Sequence, residues 1–427
     1  MTVGCLRVRR YTICACDNTS HASRVSKEAS PGPRPRTVNM KRNSNPDTSA
    51  NRATEIAPDG LARARAGGRS AEGSQGAIPI ASPHIAPADD PSKFKVTFVC
   101  ESATQPRLIC DLNDWNATGE KAIPMQKIER GVWAHEIVLP RNTYMEYAFV
   151  VGRKRRNDPR NPNKTDNGVG ATNNYFYLPD AKAEPLAARG KGVKAGEVTR
   201  HFVSAGWGAV GRRRTVHLYH PPVKTATPLL VVLDGGDYLR RASICEIVDN
   251  LIAQKRIQPI ALAMADSSKT ARFIEYACSD AHVTFLTETV VPFAGQHLNL
   301  VDGAGAHGIL GASMGGVMSL YTGLRAPQVF GKVFSQSGAF NVGDDETGKG
   351  DLVVYDLVAH GPRRDLQIYM DAGKIEWLLH TNRRMVELLK TRGYAPAYRE
   401  FEAGHNYPAW RDDLVNGLVY LFGESKN

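Results

Sequence analysis

The sequence predicts a mostly parallel α/β sheet covered by helices, preceded by an all-β sandwich and a tail without a core. Three observations lead there. From about residue 196 onward, short apolar runs closed by turn residues alternate with longer helical stretches. Between residues 93 and 180, short alternating strands follow one another between turn signals, and residues 1–92 show neither pattern. Strand-helix alternation implies crossovers that bury both faces of a parallel sheet, whereas strands of period two read as antiparallel sheets.

The tail, residues 1–92, is rich in Ser, Pro, Ala, Arg and Asn, as in SPGPRPRTVNMKRNSNPDTSANRATE, and has few large apolar residues. It cannot bury enough surface to offset the entropy of ordering it, so disorder is expected. Its first 90 residues hold 13 Lys and Arg against 8 Asp and Glu, so five of the eleven excess positive charges sit there. With no folded reading element and no interleaved aromatics, this is a solvated extension, and no nucleic-acid partner is expected. Met40-Lys41-Arg42 would serve as an alternative start. The first twenty residues carry Arg7, Arg9 and Arg10 but no apolar stretch of signal-peptide length, and no apolar run approaches a membrane span. Seven cysteines at positions 5, 14, 16, 100, 110, 245 and 278 lack C-x-x-C pairs, which suits a reducing, cytoplasmic setting and neither a disulfide framework nor a zinc site.

In the sandwich block, KFKVTFVCE alternates Phe94, Val96, Phe98 and Cys100 against polar neighbours. GVWAHEIVLP follows a glycine turn, and YMEYAFVVG alternates again before a basic run at residues 153–156. A linker is expected at 181–195. The α/β block, 196–427, then opens with GRRRTVHLYHPP and TPLLVVLDGGDYL and continues through PIALAMAD, HGILGAS, KVFSQSG and LQIYMDAG, each a short strand closed by turn residues. Ligands in such sheets sit at the C-terminal strand ends. Residues 303–308 fit G-x-G-x-x-G, but a strand follows them where a dinucleotide site needs a helix, so they read as a loop. His217 and His220 form an isolated H-x-x-H without a glutamate, and no metal site is expected.

Ser313 lies in GASMGG, with the apolar GIL before it and Val317, Leu320, Tyr321 and Leu324 on one helical face after it, ended by Pro327. A serine at a strand-turn-helix junction is lifted clear of the sheet. Gly311 and Gly315 are expected there because side chains would collide with the adjoining strand and helix. The helix N-terminus favours negative charge developing beside the serine. A serine hydroxyl needs a general base, and His405 in FEAGHNYPAWRDDL, near the C-terminus, is the candidate. LQIYMDAGKIEWLL offers two acids to orient the imidazole: Glu376, three residues after Gly373, is favoured, and Asp371 is the alternative. Two backbone donors for an oxyanion are expected at Met314, directly after the nucleophile, and at Gly235 or its neighbour Gly236.

These stretches resemble known families. RLICDLNDWN, PMQKIERGVWAHEIVLP, EYAFVVG and GATNNYFYLP are similar, in that order, to the immunoglobulin-like early-set domains of glycogen-binding modules and of enterochelin esterases. LLVVLDGGDYL, ARFIEY, GASMGGVMSLYTGLRAPQVFGKVFSQSG and the stretch from Glu376 to Leu414 resemble the esterase D group, an α/β-hydrolase fold, and most of all its ferric enterochelin esterases. The resemblance runs from about residue 93 to the end. It implies a serine esterase that hydrolyses a catecholate siderophore through an acyl-enzyme, a small-molecule ester as partner, and no cofactor, since iron arrives with the substrate. It also implies that Arg272, of the Arg-x-x-Glu segment, lies in the substrate site facing an anionic ligand. Of the sugar contacts in glycan-binding relatives only Trp115 is matched; residues 153–156 stand in place of a second tryptophan and Ala148 near the lysine. A structural or substrate-shaping domain is therefore expected. Gly236-Asp237 departs from the family's oxyanion loop and leaves the acyl group open. The alternatives are a carboxylesterase acting on feruloyl or acetyl groups of polysaccharide, and a glycan-binding protein with a degenerate hydrolase domain.

Overall fold

The computed structural model describes residues 81–168, 170–205, 213–341 and 352–424, so the expected tail up to residue 80 lies outside the described residues. Two antiparallel sheets come first. One runs in the order His84–Pro87, Lys93–Glu101, Val132–Pro140, Gln126–Glu129. The other joins Ile123–Pro124, Pro106–Cys110, Tyr144–Val151, Thr172–Tyr177 and Lys164–Asp166, with Lys154–Arg156 folded back on Tyr144–Val151. The alternation in KFKVTFVCE turns Phe94, Val96 and Phe98 toward Leu108, Met145, Tyr147 and Phe149 of the second sheet, and this shared apolar layer holds the sheets face to face. The sandwich begins before residue 93, because His84 pairs with Thr97 and Pro87 with Phe94. An edge strand of four residues ending in proline is too short to show a period.

Tyr144–Val151 is buried along nearly its whole length, unlike a strand with one wet face. Met145, Tyr147 and Phe149 fill the sandwich core. Tyr144, on the opposite face, packs on Ala403 and Ala409 of the α/β block, while Ala148 and Val150 pack with Ile109 and Trp115. At Tyr144 that outer face is a contact surface between the blocks, and Glu146, two residues on along the same face, is buried.

The second block holds one sheet: β1 (Glu197–Ser204), β2 (Arg213–His220), β3 (Leu229–Leu233), β4 (Ala261–Ala265), β5 (His307–Ala312), β6 (Phe330–Gln336), β7 (Gln367–Gly373) and β8 (Ala397–Phe401). Its order is β1-β2-β4-β3-β5-β6-β7-β8, antiparallel through β1, β2 and β4 and parallel beyond. β3 is apolar at every position because Leu229, Val231 and Leu233 pack to one side and Leu230 and Val232 to the other. Helices Ile244–Ala253 and Tyr407–Phe422 cover one face; Met314–Arg325, Val353–His360 and Leu379–Thr391 cover the other. The 181–195 segment is pinned to the block: Arg189 Nε donates to Asp249 Oδ2 at 2.9 Å and Gly190 N–H to Asn250 Oδ1 at 2.8 Å.

Residues 303–308 run into β5 without a helix, and His220 Nε2 on β2 meets Thr199 Oγ1 at 3.1 Å. Among the described residues no group of His, Cys, Asp or Glu is arranged to hold a metal, and no helix is long and apolar enough to cross a membrane. Cys100, Cys110, Cys245 and Cys278 are buried thiols. The C-terminal ends of β3, β5, β6, β7 and β8 lie at one end of the sheet; Ser313, Met314, Gly235, Asp371, Glu376 and His405 lie on or shortly after these strands, while Arg272 sits on the short helix Arg272–Tyr276.

Candidate active site

Ser313 joins β5 to the helix Met314–Arg325 with φ 60° and ψ −123°, a backbone conformation that L-residues rarely adopt. The turn is held from both sides. The Ser313 N–H donates to Gln336 O at 2.9 Å, and its carbonyl accepts the N–H of Gly316 at 2.9 Å and of Ala339 at 3.0 Å. Ser313 is partly exposed while Ala312 and Met314 are buried, so the turn presents this one side chain. A Cβ on Gly311 would lie 2.5 Å from the carbonyl oxygen of Gly315. The expectation for Gly315 needs correcting: a Cβ there makes ordinary contacts, the nearest being Leu233 Cβ at 3.7 Å. The tight position is Gly316, where a Cβ would stand 2.8 Å from Ser335 Oγ, because the helix crosses the end of β6 one residue later.

His405 follows β8, and its Nδ1 lies 3.2 Å from Glu376 Oε2. The Glu376 side chain has no exposed surface and that of His405 is 12 % exposed. A carboxylate at Nδ1 favours the tautomer with its proton there and leaves Nε2 as an acceptor. The ring is held between two indoles, with centroids 4.7 Å from Trp377 and 4.9 Å, edge-on, from Trp410. Glu376 Oε1 has no hydrogen-bond partner among the described residues, so the His405 contact is what satisfies this buried carboxyl.

Asp371 stands elsewhere. β7 continues two residues past it, so it stays in the ladder opposite Gln336 and Arg399. Its oxygens accept Gln336 Nε2 at 2.8 Å and the Ser337 N–H at 3.2 Å. Burial, with Asp413 alongside, holds its carboxyl well above the usual range. Its oxygens are turned to Gln336 and Ser337, whereas the carboxyl that meets His405 Nδ1 is that of Glu376.

A polar network beneath these groups is absent from the sequence reading. Tyr238 Oη donates to Gln336 Oε1 at 2.9 Å, Gln336 Nε2 to Trp410 O at 3.1 Å, and Trp410 Nε1 to Ser337 Oγ at 3.0 Å. Because Gln336 O also accepts the Ser313 N–H, the network joins the serine turn to the indole beside His405. The available signal was the polar pair closing KVFSQSG: polar side chains buried at a strand end require partners.

The Met314 and Gly235 amides are each the first of a helix, where no intrahelical acceptor exists. The Gly236 N–H is taken by Asp266 Oδ1 at 2.8 Å. The glycine at 235 answers to packing and not to substrate approach, since a Cβ there would stand 2.5 Å from Met264 Cβ on β4. Arg272 is not a free cation. Its Nε lies 3.0 and 2.8 Å from the two Asp234 oxygens, and its Nη2 2.7 Å from Oδ2. Nη2 also reaches Ala312 O at 3.4 Å, so the guanidinium ties the end of β3 to the residue before Ser313, with 26 % of its side chain exposed.

Trp377, 44 % exposed, lines an open cleft of about 410 Å³ together with Asn341, Asp114 and Lys121. Asp114 and Lys121 form an ion pair and come from the sandwich, so both blocks border the cleft. Trp115, the one matched sugar contact, is engaged in packing: its Nε1 donates to Asp111 Oδ1 at 3.3 Å, and its ring lies on the Ile109, Ala148 and Val150 cluster.

A family model described as putative esterase matches residues 208–421. The iron(III) enterobactin esterase of Escherichia coli (strain K12) is 25 % identical over 274 residues, spanning 57 % of this chain and 68 % of that one. That of Dickeya dadantii (strain 3937) is 26 % identical over 206 residues, spanning 45 % of this chain and about half, 47 %, of that relative. Among solved structures, the enterobactin esterase of Shigella flexneri in the presence of enterobactin superposes with a TM-score of 0.66 at 21 % identity, over 80 % of this chain and 95 % of that one. The ferric enterobactin esterase of Salmonella typhimurium gives 0.67 at 20 % identity, over 80 % and 96 %. These structures share the mixed α/β architecture described above.

Proposed function

Since this chain belongs to the putative-esterase family and is enterochelin-esterase-like, we propose that it is a serine hydrolase acting on the ester bonds of a catecholate siderophore. The observation that carries the reading is the His405–Glu376 pair in loops that leave the sheet at the same end as the turn holding a serine at positive φ. In this reading Ser313 Oγ attacks the ester carbonyl carbon while His405 Nε2 takes its proton, and Glu376 stabilises the imidazolium. The Met314 and Gly235 amides receive the oxyanion. Collapse returns the proton to the leaving alcohol, and water, activated by the same imidazole, releases the acyl group. Iron is the substrate's cargo. We assign the sandwich to the immunoglobulin-like early-set class and place the reaction in the cytoplasm, where the buried thiols of Cys100, Cys110, Cys245 and Cys278 stay reduced.

The test incubates wild type and Ser313→Ala separately with ferric enterobactin and with a feruloylated oligosaccharide, and reads products by mass spectrometry. Serine-dependent release of dihydroxybenzoyl-serine species is expected, with at least about 10⁴-fold less from Ser313→Ala. Release of ferulate alone would transfer the protein to the polysaccharide esterases. No turnover, and no fluorophosphonate labelling at Ser313, would leave a hydrolase domain without catalysis.

A further inference from the structure

We propose that the sandwich is a positioning element for the catalytic arm of the second block, with Asp111 as the residue that holds the Gly404-His405-Asn406 turn. This rests on the assignment of Ser313, His405 and Glu376 made above. The arm consists of two loops, one after β7 carrying Glu376 and one after β8 carrying His405, tied together by Lys374 N–H to Phe401 O at 2.8 Å and Ile375 N–H to Ala403 O at 3.3 Å. The sandwich grips both loops next to their functional residues. Ile375, directly before Glu376, packs against the sandwich core. The Tyr144 N–H donates to Glu402 O at 2.9 Å, and Tyr144 packs on Ala403.

Asp111 completes the grip. Its Oδ2 accepts the Glu146 N–H at 2.8 Å and Asn406 Nδ2 at 3.4 Å, and its Oδ1 accepts Trp115 Nε1 at 3.3 Å. Asn406 is thereby oriented with its Oδ1 toward the Ala409 N–H at 3.0 Å, capping the helix that carries Trp410 against the His405 ring. A side chain on Gly404 would overlap the Asp111 carboxyl, so the turn and the carboxyl fit without spare room. The residues on either side of His405 are therefore set by a side chain 295 positions from Asn406 in sequence. A misplacement of about 1 Å in a catalytic group can cost on the order of 10² in rate, which sets the scale of the expected effect.

The test uses the full chain as wild type, Asp111→Ala, Asp111→Asn and Ile375→Ala. A fluorophosphonate probe measures the rate and final stoichiometry of Ser313 phosphonylation, and 4-nitrophenyl acetate gives kcat and KM. Expected for Asp111→Ala is at least tenfold slower labelling at full final stoichiometry, with kcat lowered and KM within twofold. Asp111→Asn, which keeps an acceptor toward Glu146 and Asn406, should recover to within about threefold of wild type. A purely structural role would reduce the labelled fraction and leave the rate of the folded molecules unchanged. Wild-type labelling rates in Asp111→Ala overturn the proposal. Should that variant not fold, Ile375→Ala decides: at least fivefold slower labelling supports the proposal, and an unchanged rate overturns it. Wild type that does not label at Ser313 overturns the serine assignment and this inference with it, whereas wild type that labels beside an unaffected Asp111→Ala overturns this inference alone.

Discussion

The serine turn and the loops carrying Glu376 and His405 lie at the same end of the sheet but are built by different means. The turn draws on neighbours: Gly311 closes against Gly315, Gly316 against the end of β6, and the Ser313 N–H and carbonyl are bonded to residues 316, 336 and 339. The loops after β7 and β8 rest on a separate block, through Ile375, Tyr144 and Asp111. A strained turn enclosed by its own sheet tolerates little change at a few positions. An arm braced from outside responds to changes far away in the chain, and that difference shows where substitutions will be felt.

The largest effect sharpens the arm's side of the contrast. Glu376→Gln should lower kcat by about 10²–10⁴-fold with a small change in KM, because the imidazolium loses its buried countercharge. Asp371→Asn should stay within about tenfold, since Asp371 bonds Gln336 and Ser337 instead of His405. Equal losses in the two variants, measured on one activated ester, would remove the division of roles between the carboxyls.

A second prediction concerns the brace. Burial pushes the Glu146 carboxyl up to about 7 despite hydrogen bonds from Asn173 and Tyr144 and the nearby charges of Arg155 and Arg241. The folded chain then keeps a proton that the unfolded chain releases from pH ~4.5 upward, so stability falls as pH rises toward 7 and levels above it. Glu146→Gln should flatten that slope and gain as much as ~3 kcal/mol relative to wild type above pH 7. Urea midpoints between pH 4.5 and 8 measure it, and a slope identical to wild type refutes it.

The turn supplies the two smaller effects. Gly311→Ala forces a methyl against the Gly315 carbonyl and should cost about 1–3 kcal/mol, read as a lower Tm. Gly315→Ala meets only ordinary contacts at a helical position, so stability should stay within ~0.5 kcal/mol or rise slightly. Equal sensitivity at both positions would contradict the packing described here.

The same division governs what could be read in advance. The strands of the α/β block and the strand-turn-helix setting of Ser313 were legible, because period, turn residues and spacing are properties of short windows. The Gly315 expectation failed because crossing a neighbouring strand is not a local property. The pairing of Arg272 with Asp234 was not legible for the same reason: the two lie 38 positions apart, on a short helix and just after β3.

The amino-acid order by itself determined two blocks, a sheet wound between helices, and a serine at a strand-helix junction. Each follows from interactions among residues within a few turns or strand lengths. Only the tertiary structure decided which carboxyl reaches His405, that Gln336 and Trp410 join the serine turn to the base, and that Asp111 reaches the His405 turn. Those outcomes depend on where β7 ends and on which faces of two separately patterned blocks are buried against each other. Such contacts join residues far apart in the chain, and no short window of sequence contains both partners.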